Sequence, residues 1–340
     1  IGISALAPVG LYHLTEALTG RRRTALVAGL LLACDPASVR HAAYGQTAAL
    51  LGTLLVAFCW AFARSTTTSR TTAGAARAGL WLGLAVLTRT MALPLVALAS
   101  LAWAMQGRRR EALALAATAL AVFAPYAIRN YVLNGAVLPT RSGINLFVST
   151  SEYTAALVPE HHPDLLVPYA TALLAQNGHP IEAPASPALE QQTDAILRRL
   201  AWANVVRHPV EQIWLRVKYA GYFFSPFLVP SRRDFPASDA DVHLGAGGQV
   251  TITNDGALQP WWIRASYTAS FAPVLVLAAL GAAHRRQRLR DDAILWCVMA
   301  TFVGVYSVFF PGSFYREPMA FVLLFFAAVA VDATWRSVAV

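Results

Sequence analysis

The sequence predicts an all-α fold: a polytopic membrane protein, a bundle of about nine transmembrane helices carrying one extracytoplasmic segment. Three observations lead there. Of 340 residues, 56% are hydrophobic and only 13% are charged, against about a quarter charged in a soluble globular chain. Apolar runs near the ~20 residues that cross hydrocarbon recur at 1–19, 24–40, 46–63, 76–88, 91–106, 111–128, 264–283, 293–310 and 317–335. Arginines cluster in alternate connections between those runs.

The first run opens on Ile1 inside an apolar stretch, so a segment upstream of it is expected; neither the charged n-region nor the small-residue cleavage site of a signal peptide is legible. From there the arginines set the orientation. Arg21-Arg22-Arg23, then Arg64, Arg70 and Arg77, then Arg108-Arg109-Arg110, then Arg285, Arg286, Arg288 and Arg290, and last Arg336 all fall on one side. The positive-inside rule makes that side cytoplasmic. The opposite connections, 35–45, the bend at Thr88-Arg89-Thr90, the long stretch 129–263 and the short loop 311–318, then face outward. Trp81, Trp103, Trp261, Trp262, Trp296 and Trp335 lie near span ends, where an amphipathic ring favours the headgroup layer. The expected organisation is a bundle over 1–128, an extracytoplasmic segment over 129–263 with amphipathic helices, and C-terminal spans over 264–340.

Residues 123–147 read FAPYAIRNYVLNGAVLPTRSGINLF. A helix leaving lipid at Ala127 places Arg129 and Asn130 at the outer interface, and Asn-Gly and Leu-Pro then signal a turning backbone. Residues 151–187 read as loop with short helices. The next stretch, PALEQQTDAILRRLAWANVVRHPVEQIWLRVKYAGYFFSP, has apolar spacing near 3.6 with Pro187 as a start signal, which predicts one or two amphipathic helices suited to a membrane surface. Residues 231–260 read as loop, with a small hairpin ending at Asn254-Asp255-Gly256.

Several chemistries find no support. The formal net charge of +9 sits in short knots rather than on one face, so no nucleic-acid partner is expected. Cys34, Cys59 and Cys297 lack the spacing of a disulfide framework or a zinc site. Glu160-His161-His162-Pro163-Asp164 lacks metal-ligand spacing, and Gly245-Ala246-Gly247-Gly248 lacks the Lys-Ser/Thr of a phosphate loop, so no metal or cofactor is expected. No GxSxG elbow is present. Asp332 reads as a solvated helix end. A single lysine, Lys218, among 27 basic residues reflects base composition and suggests a bacterial source.

What remains is a set of charged residues on the outer ends of the spans: Asp35 and Arg40 in ACDPASVRHAAYG, Arg89 in LTRTMALP, Arg129 and Asn130 in AIRNY, Arg141 in PTRSGIN, and Tyr315, Arg316 and Glu317 in SFYREP. Ionised groups near lipid are costly and are kept where they bind something. Guanidinium groups converging there suit a phosphate or pyrophosphate, because each supplies paired donors to its oxygens.

These stretches resemble the integral-membrane glycosyltransferases of the GT-C fold, in the branch of protein O-mannosyltransferases and aminoarabinose transferases. LLLACDPASVRHAAYGQTAALLGTLLVAF resembles paired spans joined by an outer Asp-Pro-x-x-x-Arg turn, GLWLGLAVLTRTMALPLVALASLAW the next hairpin, and APYAIRNYVLNGAVLPTRSGINLF the family's Pro-x-x-x-Arg-Asn-Tyr exit. RHPVEQIWLRVKYAGYFFSP and FYREPMAFVLLF resemble later motifs. The resemblance implies transfer of a sugar from a polyprenyl-phosphate donor to a lipid, glycan or protein acceptor at the outer face of a bacterial inner membrane. It implies Arg89 and Arg316 as contacts of the donor phosphate, with Arg40, Arg129, Asn130, Arg141, Asn145, Tyr315 and Glu317 at the rim. In that family the catalytic carboxylate lies in an outer loop after the first span, which this chain begins beyond, so as a fragment it is expected to be inactive. Asp35 is a candidate carboxylate, and its place before a proline equally fits a helix cap. A transporter or flippase of lipid-linked sugars, or a non-catalytic membrane scaffold, are the alternatives from other classes.

Overall fold

The computed structural model describes residues 2–67, 71–138, 142–179, 187–231, 242–245, 249–252, 258–309 and 312–338. Among these, every one of the nine apolar runs holds a helix. They are α1 (Ala7–Thr19), α2 (Arg22–Ala33) with the short α3 (Pro36–Ala43), α4 (Thr47–Thr67), α5 (Thr72–Thr88), α6 (Leu93–Met105), α7 (Arg109–Asn134), α13 (Trp261–His284), α14 (Ala293–Val308) and α15 (Ala320–Val338). Four segments are long and apolar enough to cross a membrane by length and composition: Thr47–Thr66, Arg109–Asn134, Trp261–His284 and Tyr315–Val338. The others are cut short by identifiable breaks. Gly20 ends α1 in the left-handed region (φ 68°), and Asp35-Pro36 separates α2 from α3.

The chain divides into two compact units. The first takes Ile1–Pro125, Ala269–Val303 and Phe314–Val340; the second takes Tyr126–Thr268 and Gly304–Ser313. In the first unit α1 packs against α2 and α4, α4 against α5, and α2 against α15. Its core is built from Leu11, Leu14, Leu51, Leu55, Phe58, Phe325 and Phe326, all essentially inaccessible. The long helices differ in surroundings. Over their apolar windows α15 is 72% buried and α4 is 61% buried, whereas α7 and α13 are 22% and 11% buried. In a bilayer the first pair therefore forms the centre of packing and the second pair meets lipid.

The arginine-bearing connections are not loose. Arg285 pairs with Asp292 at 2.6 Å and donates to the Leu18 carbonyl, Arg21 reaches Asp332 at 3.4 Å, and Arg23 lies over the Trp335 ring. Arg108, 7% exposed, donates to the Ser65 carbonyl at 2.8 Å and lies over Trp103. These contacts gather alternate connections, as the charge pattern requires. They also correct the reading of Asp332, which is 5% exposed and flanked by Arg21 and Arg336 rather than solvated.

Helix α7 does not stop at Arg129-Asn130. It runs on to Asn134, where Gly135 (φ 64°) donates back to the Tyr131 carbonyl and ends it. The Asn-Gly pair is the terminator, and the polar Arg-Asn pair is carried on the helix.

In the second unit α8 (Ser142–Thr150), α9 (Thr154–Leu157) and α10 (Val167–Gln176) pack with α11 (Pro187–Arg207) around Phe147, Leu166, Leu174 and Leu197; α12 (Pro209–Phe223) follows. Pro187 and Pro209 sit at the first helical position, where a missing N–H costs nothing. Asp194 of α11 accepts from the Gly143 N–H at 2.5 Å and so caps α8, while Arg198 neutralises it at 2.7 Å. A Cβ on Gly143 would meet the Asp194 carbonyl oxygen at 2.2 Å, so only glycine allows this approach. Strands β1 (Val242–Leu244) and β2 (Val250–Ile252) form an antiparallel hairpin with His243 opposite Thr251. The expected end of the hairpin at Asn254-Asp255-Gly256 lies outside the described residues.

Arg216 ties this unit together. Its guanidinium donates to Ser149 O at 2.8 Å, Ser307 O at 3.2 Å and Val308 O, as well as to Gln212 Oε1 at 2.8 Å. It thereby meets the unsatisfied carbonyls at the C-terminal ends of α8 and α14, where a cation is also favoured by the helix dipoles. Arg216→Met leaves those carbonyls unmet, an expected loss of about 2–4 kcal/mol. Thermal unfolding of the detergent-solubilised chain would show a lowered midpoint; an unchanged one would contradict the stapling role.

Candidate functional site

One end of the first unit carries the features that the sequence marked out. Asp35 has an extended backbone and its side chain accepts from the Ser38 N–H at 2.8 Å, so it is the N-cap of α3, with Pro36 at the first helical position. The cap turns the chain sharply between α2 and α3. It thereby places Arg40 and His41 in the last turn of α3, next to the start of α4.

His41 is 9% exposed, and its Nδ1 donates to Gln46 Oε1. Arg89, at the end of α5, donates from Nε to Thr47 Oγ1 at 3.0 Å and lies within electrostatic reach of the His41 ring, as do Arg40 and Asp35. Burial lowers the His41 pKa; the Gln46 bond and Asp35 oppose this, and the Arg40 and Arg89 charges add to it. The folded state therefore favours the neutral ring. Its contribution is complete above the ordinary histidine value of about 6.5 and is lost as pH falls from there toward the lower folded value. Thermal midpoints are expected to drop on acidification from about pH 6.5 to 5, and to drop less in His41→Asn; equal slopes for the two would contradict it.

The turn Ser313–Met319 supplies the other half. Arg316 is 4% exposed with its Cζ 3.5 Å from the centroid of the Phe271 ring, a close cation–π stack. Glu317 is 8% exposed. Asp35 lies within electrostatic reach of both. Pro318 packs on Gly52 of α4, where an added Cβ would meet its backbone at 3.5 Å.

Between these parts lies a groove of about 490 Å³. Its walls are small and apolar, with Ala42 and Ala43 of α3 and Ala48, Ala49 and Gly52 of α4 facing Pro318 and Phe321. Its polar lining is Ser4, Ser38, Thr53 and Glu317, with the Ser38 hydroxyl within hydrogen-bonding reach of the Glu317 carboxylate. None of the arginines forms its wall; Glu317 does.

Asp35 is thus within electrostatic reach of His41, Arg316 and Glu317, Arg40 and Arg89 are within reach of His41, and Tyr315 is half-buried in the turn that carries Arg316. Arg129 is exposed and Asn130 is 6% exposed on α7, and Asn145 is exposed on α8; all three belong to the second unit. Arg141 lies outside the described residues. Sequence reasoning missed Ser38, His41, Gln46, Thr47 and Thr53. The spacing of small residues in AAYGQTAALLG was the available sign of a close-walled groove. Among the described residues no group of three or more His, Cys, Asp or Glu side chains is gathered for a metal. His162, singled out beside its acidic neighbours, accepts from the Asp164 N–H at 3.2 Å and caps a turn.

Fold and site together are those of a multi-pass helical membrane protein in which an apolar groove ends among buried charges. Residues 2–128, which hold most of that groove, match the family of dolichyl-phosphate-mannose-protein mannosyltransferases. Two solved structures are similar at 14% identity with a TM-score of 0.48, each over 98% of this chain. They are the Archaeoglobus fulgidus oligosaccharyltransferase in its apo form and the archaeal oligosaccharyltransferase AglB from Archaeoglobus fulgidus in complex with an inhibitory peptide and a dolichol-phosphate. The chain spans 38% of the length of each. No curated protein matches it.

Proposed function

We propose that the protein is a membrane glycosyltransferase whose groove holds the first isoprene units of a polyprenyl-phosphate sugar, with the phosphate at the charged end. The observation that carries this is the juxtaposition of a small-walled apolar groove with Ser38, Glu317 and the Asp35, Arg40, Arg89 and Arg316 cluster. An amphipathic ligand with one anionic head requires both halves. The family match over residues 2–128 supports the same reading.

In this reading Arg89 and Arg40 bind the phosphate oxygens, since Arg40 is exposed and Arg89 is half-buried. Arg316, buried on Phe271, stabilises the same charge from beneath. As the bond from the sugar's anomeric carbon to the phosphate oxygen breaks, the polyprenyl phosphate leaves with the electron pair, and these guanidinium groups offset the developing charge. An acceptor oxygen or nitrogen forms the new bond and gives its proton to a carboxylate. Glu317 is the carboxylate on the groove wall. By the charge pattern this end faces outward across a bacterial inner membrane, and the exposed apolar residues Trp202, Val206, Val210, Ile213 and Trp214 of α11 and α12 rest on the lipid surface.

The test supplies radiolabelled polyprenyl-phosphate sugars to membranes containing the full-length protein. Arg89→Ala is expected to lower transfer about tenfold to a hundredfold, the loss of one charge-assisted contact. Transfer unaffected by both Arg89→Ala and Arg316→Ala would remove the cluster from the donor site.

A further inference from the structure

The opposite end of the first unit holds a second cavity that the proposed transfer does not use. It encloses about 110 Å³ and is lined by Thr19, Arg21, Thr24, Arg285, Arg288 and Asp332, with His284 beside them. A single water needs roughly 10–15 Å³ of such space, so several waters or one tetrahedral oxyanion fit.

The charges around it are unbalanced. Arg21, Arg285, Arg288 and Arg336 stand against Asp292, which pairs with Arg285, and Asp332, which is shared by Arg21 and Arg336. Among the residues that line the cavity itself, three arginines, Arg21, Arg285 and Arg288, face one carboxylate, Asp332. Asp332 and Asp292 are 5% and 1% exposed, so they fix the guanidinium groups in place from within. Helix α2 starts at the same cavity: Arg21 is its N-cap residue and Thr24 is at its third position, and no side chain caps it. Its first N–H groups and dipole add further positive potential. Thr24 is 1% exposed, and its hydroxyl has no hydrogen-bond partner among the described residues.

We infer that this cavity binds a phosphate group, held by Arg21 and Arg288 and oriented by the start of α2. The planar guanidinium suits paired donation to phosphate oxygens. Either a phospholipid headgroup or a free phosphate presents that chemistry, and the two can be separated experimentally.

The full chain in zwitterionic detergent is titrated with inorganic phosphate and with pyrophosphate against chloride at equal ionic strength. In parallel it is placed in phosphatidylcholine nanodiscs with or without phosphatidylglycerol. The reading is the thermal unfolding midpoint in each case. A rise with the free anions identifies a soluble ligand, and a rise only with phosphatidylglycerol identifies a headgroup; both support the site. Arg21→Gln/Arg288→Gln is expected to weaken the apparent affinity about tenfold or more, while Arg110→Gln, at an exposed arginine that does not line the cavity, keeps it. Because Arg21 also neutralises Asp332, the single Arg288→Gln change, at an exposed side chain, keeps the experiment readable if the double variant does not fold. No stabilisation by any probe, or stabilisation that both glutamine variants retain in full, overturns the assignment.

Discussion

Glu317→Gln is expected to reduce glycosyl transfer by about 10²–10⁴-fold, the range for loss of a positioned general base. Glutamine keeps the volume and one acceptor of the side chain but cannot take a proton. Glu317 is 8% exposed, forms the groove wall with Ser38 and shares its surroundings with the Asp35 carboxylate and the Arg316 guanidinium. A base role predicts that donor binding stays within a few-fold of wild type and that Glu317→Asp recovers part of the rate. If the residue served only to neutralise buried Arg316, the glutamine variant would instead lose thermal stability, since a buried charge without its partner costs roughly 3–5 kcal/mol. Full activity in Glu317→Gln would exclude it as the base.

Gly281→Ala is expected to abolish folding of the first unit. A Cβ at that position would stand 1.8 Å from the Phe326 carbonyl oxygen, in backbone that cannot yield as a flexible side chain would. Phe326 belongs to α15, whose residues 321–330 are all buried, so the displaced segment is the centre of the bundle. Separation of α13 from α15 would break contacts along both helices, a penalty above the usual 1–3 kcal/mol of overpacking. Gly304 of α14, where an added Cβ meets nothing within 4 Å, is the internal control: Gly304→Ala is expected to express normally. Size-exclusion profiles in detergent check both; a monodisperse, stable Gly281→Ala protein would contradict the packing.

The membrane character was legible because the solvent acts on whole segments. Apolar runs of near-span length and arginines in alternate connections are properties of long windows, and each of the nine runs holds a helix. The Asp-Pro turn was legible too, since Asp35 is the cap its position allows. What escaped depends on side chains meeting across the chain. Nothing local to Arg316 shows that its guanidinium lies on Phe271, forty-five residues away, or that Asp332 is flanked by Arg21. The end of α7 follows the Asn-Gly signal and not the departure from lipid at Ala127. A helix can carry Arg129 and Asn130 at an interface, whereas the positive φ of Gly135 must end it.

The proposed function requires that the groove between α3, α4 and the Ser313–Met319 turn hold an isoprenoid chain. A polyprenyl phosphate carrying a diazirine on its first isoprene unit, irradiated with the full-length protein in nanodiscs and mapped by peptide mass spectrometry, measures this directly. Labelling of peptides covering residues 38–56 and 317–321, competed away by unlabelled polyprenyl phosphate, is the predicted result. Labelling confined to the lipid-facing surfaces of α7 and α13, indifferent to competitor, would contradict it.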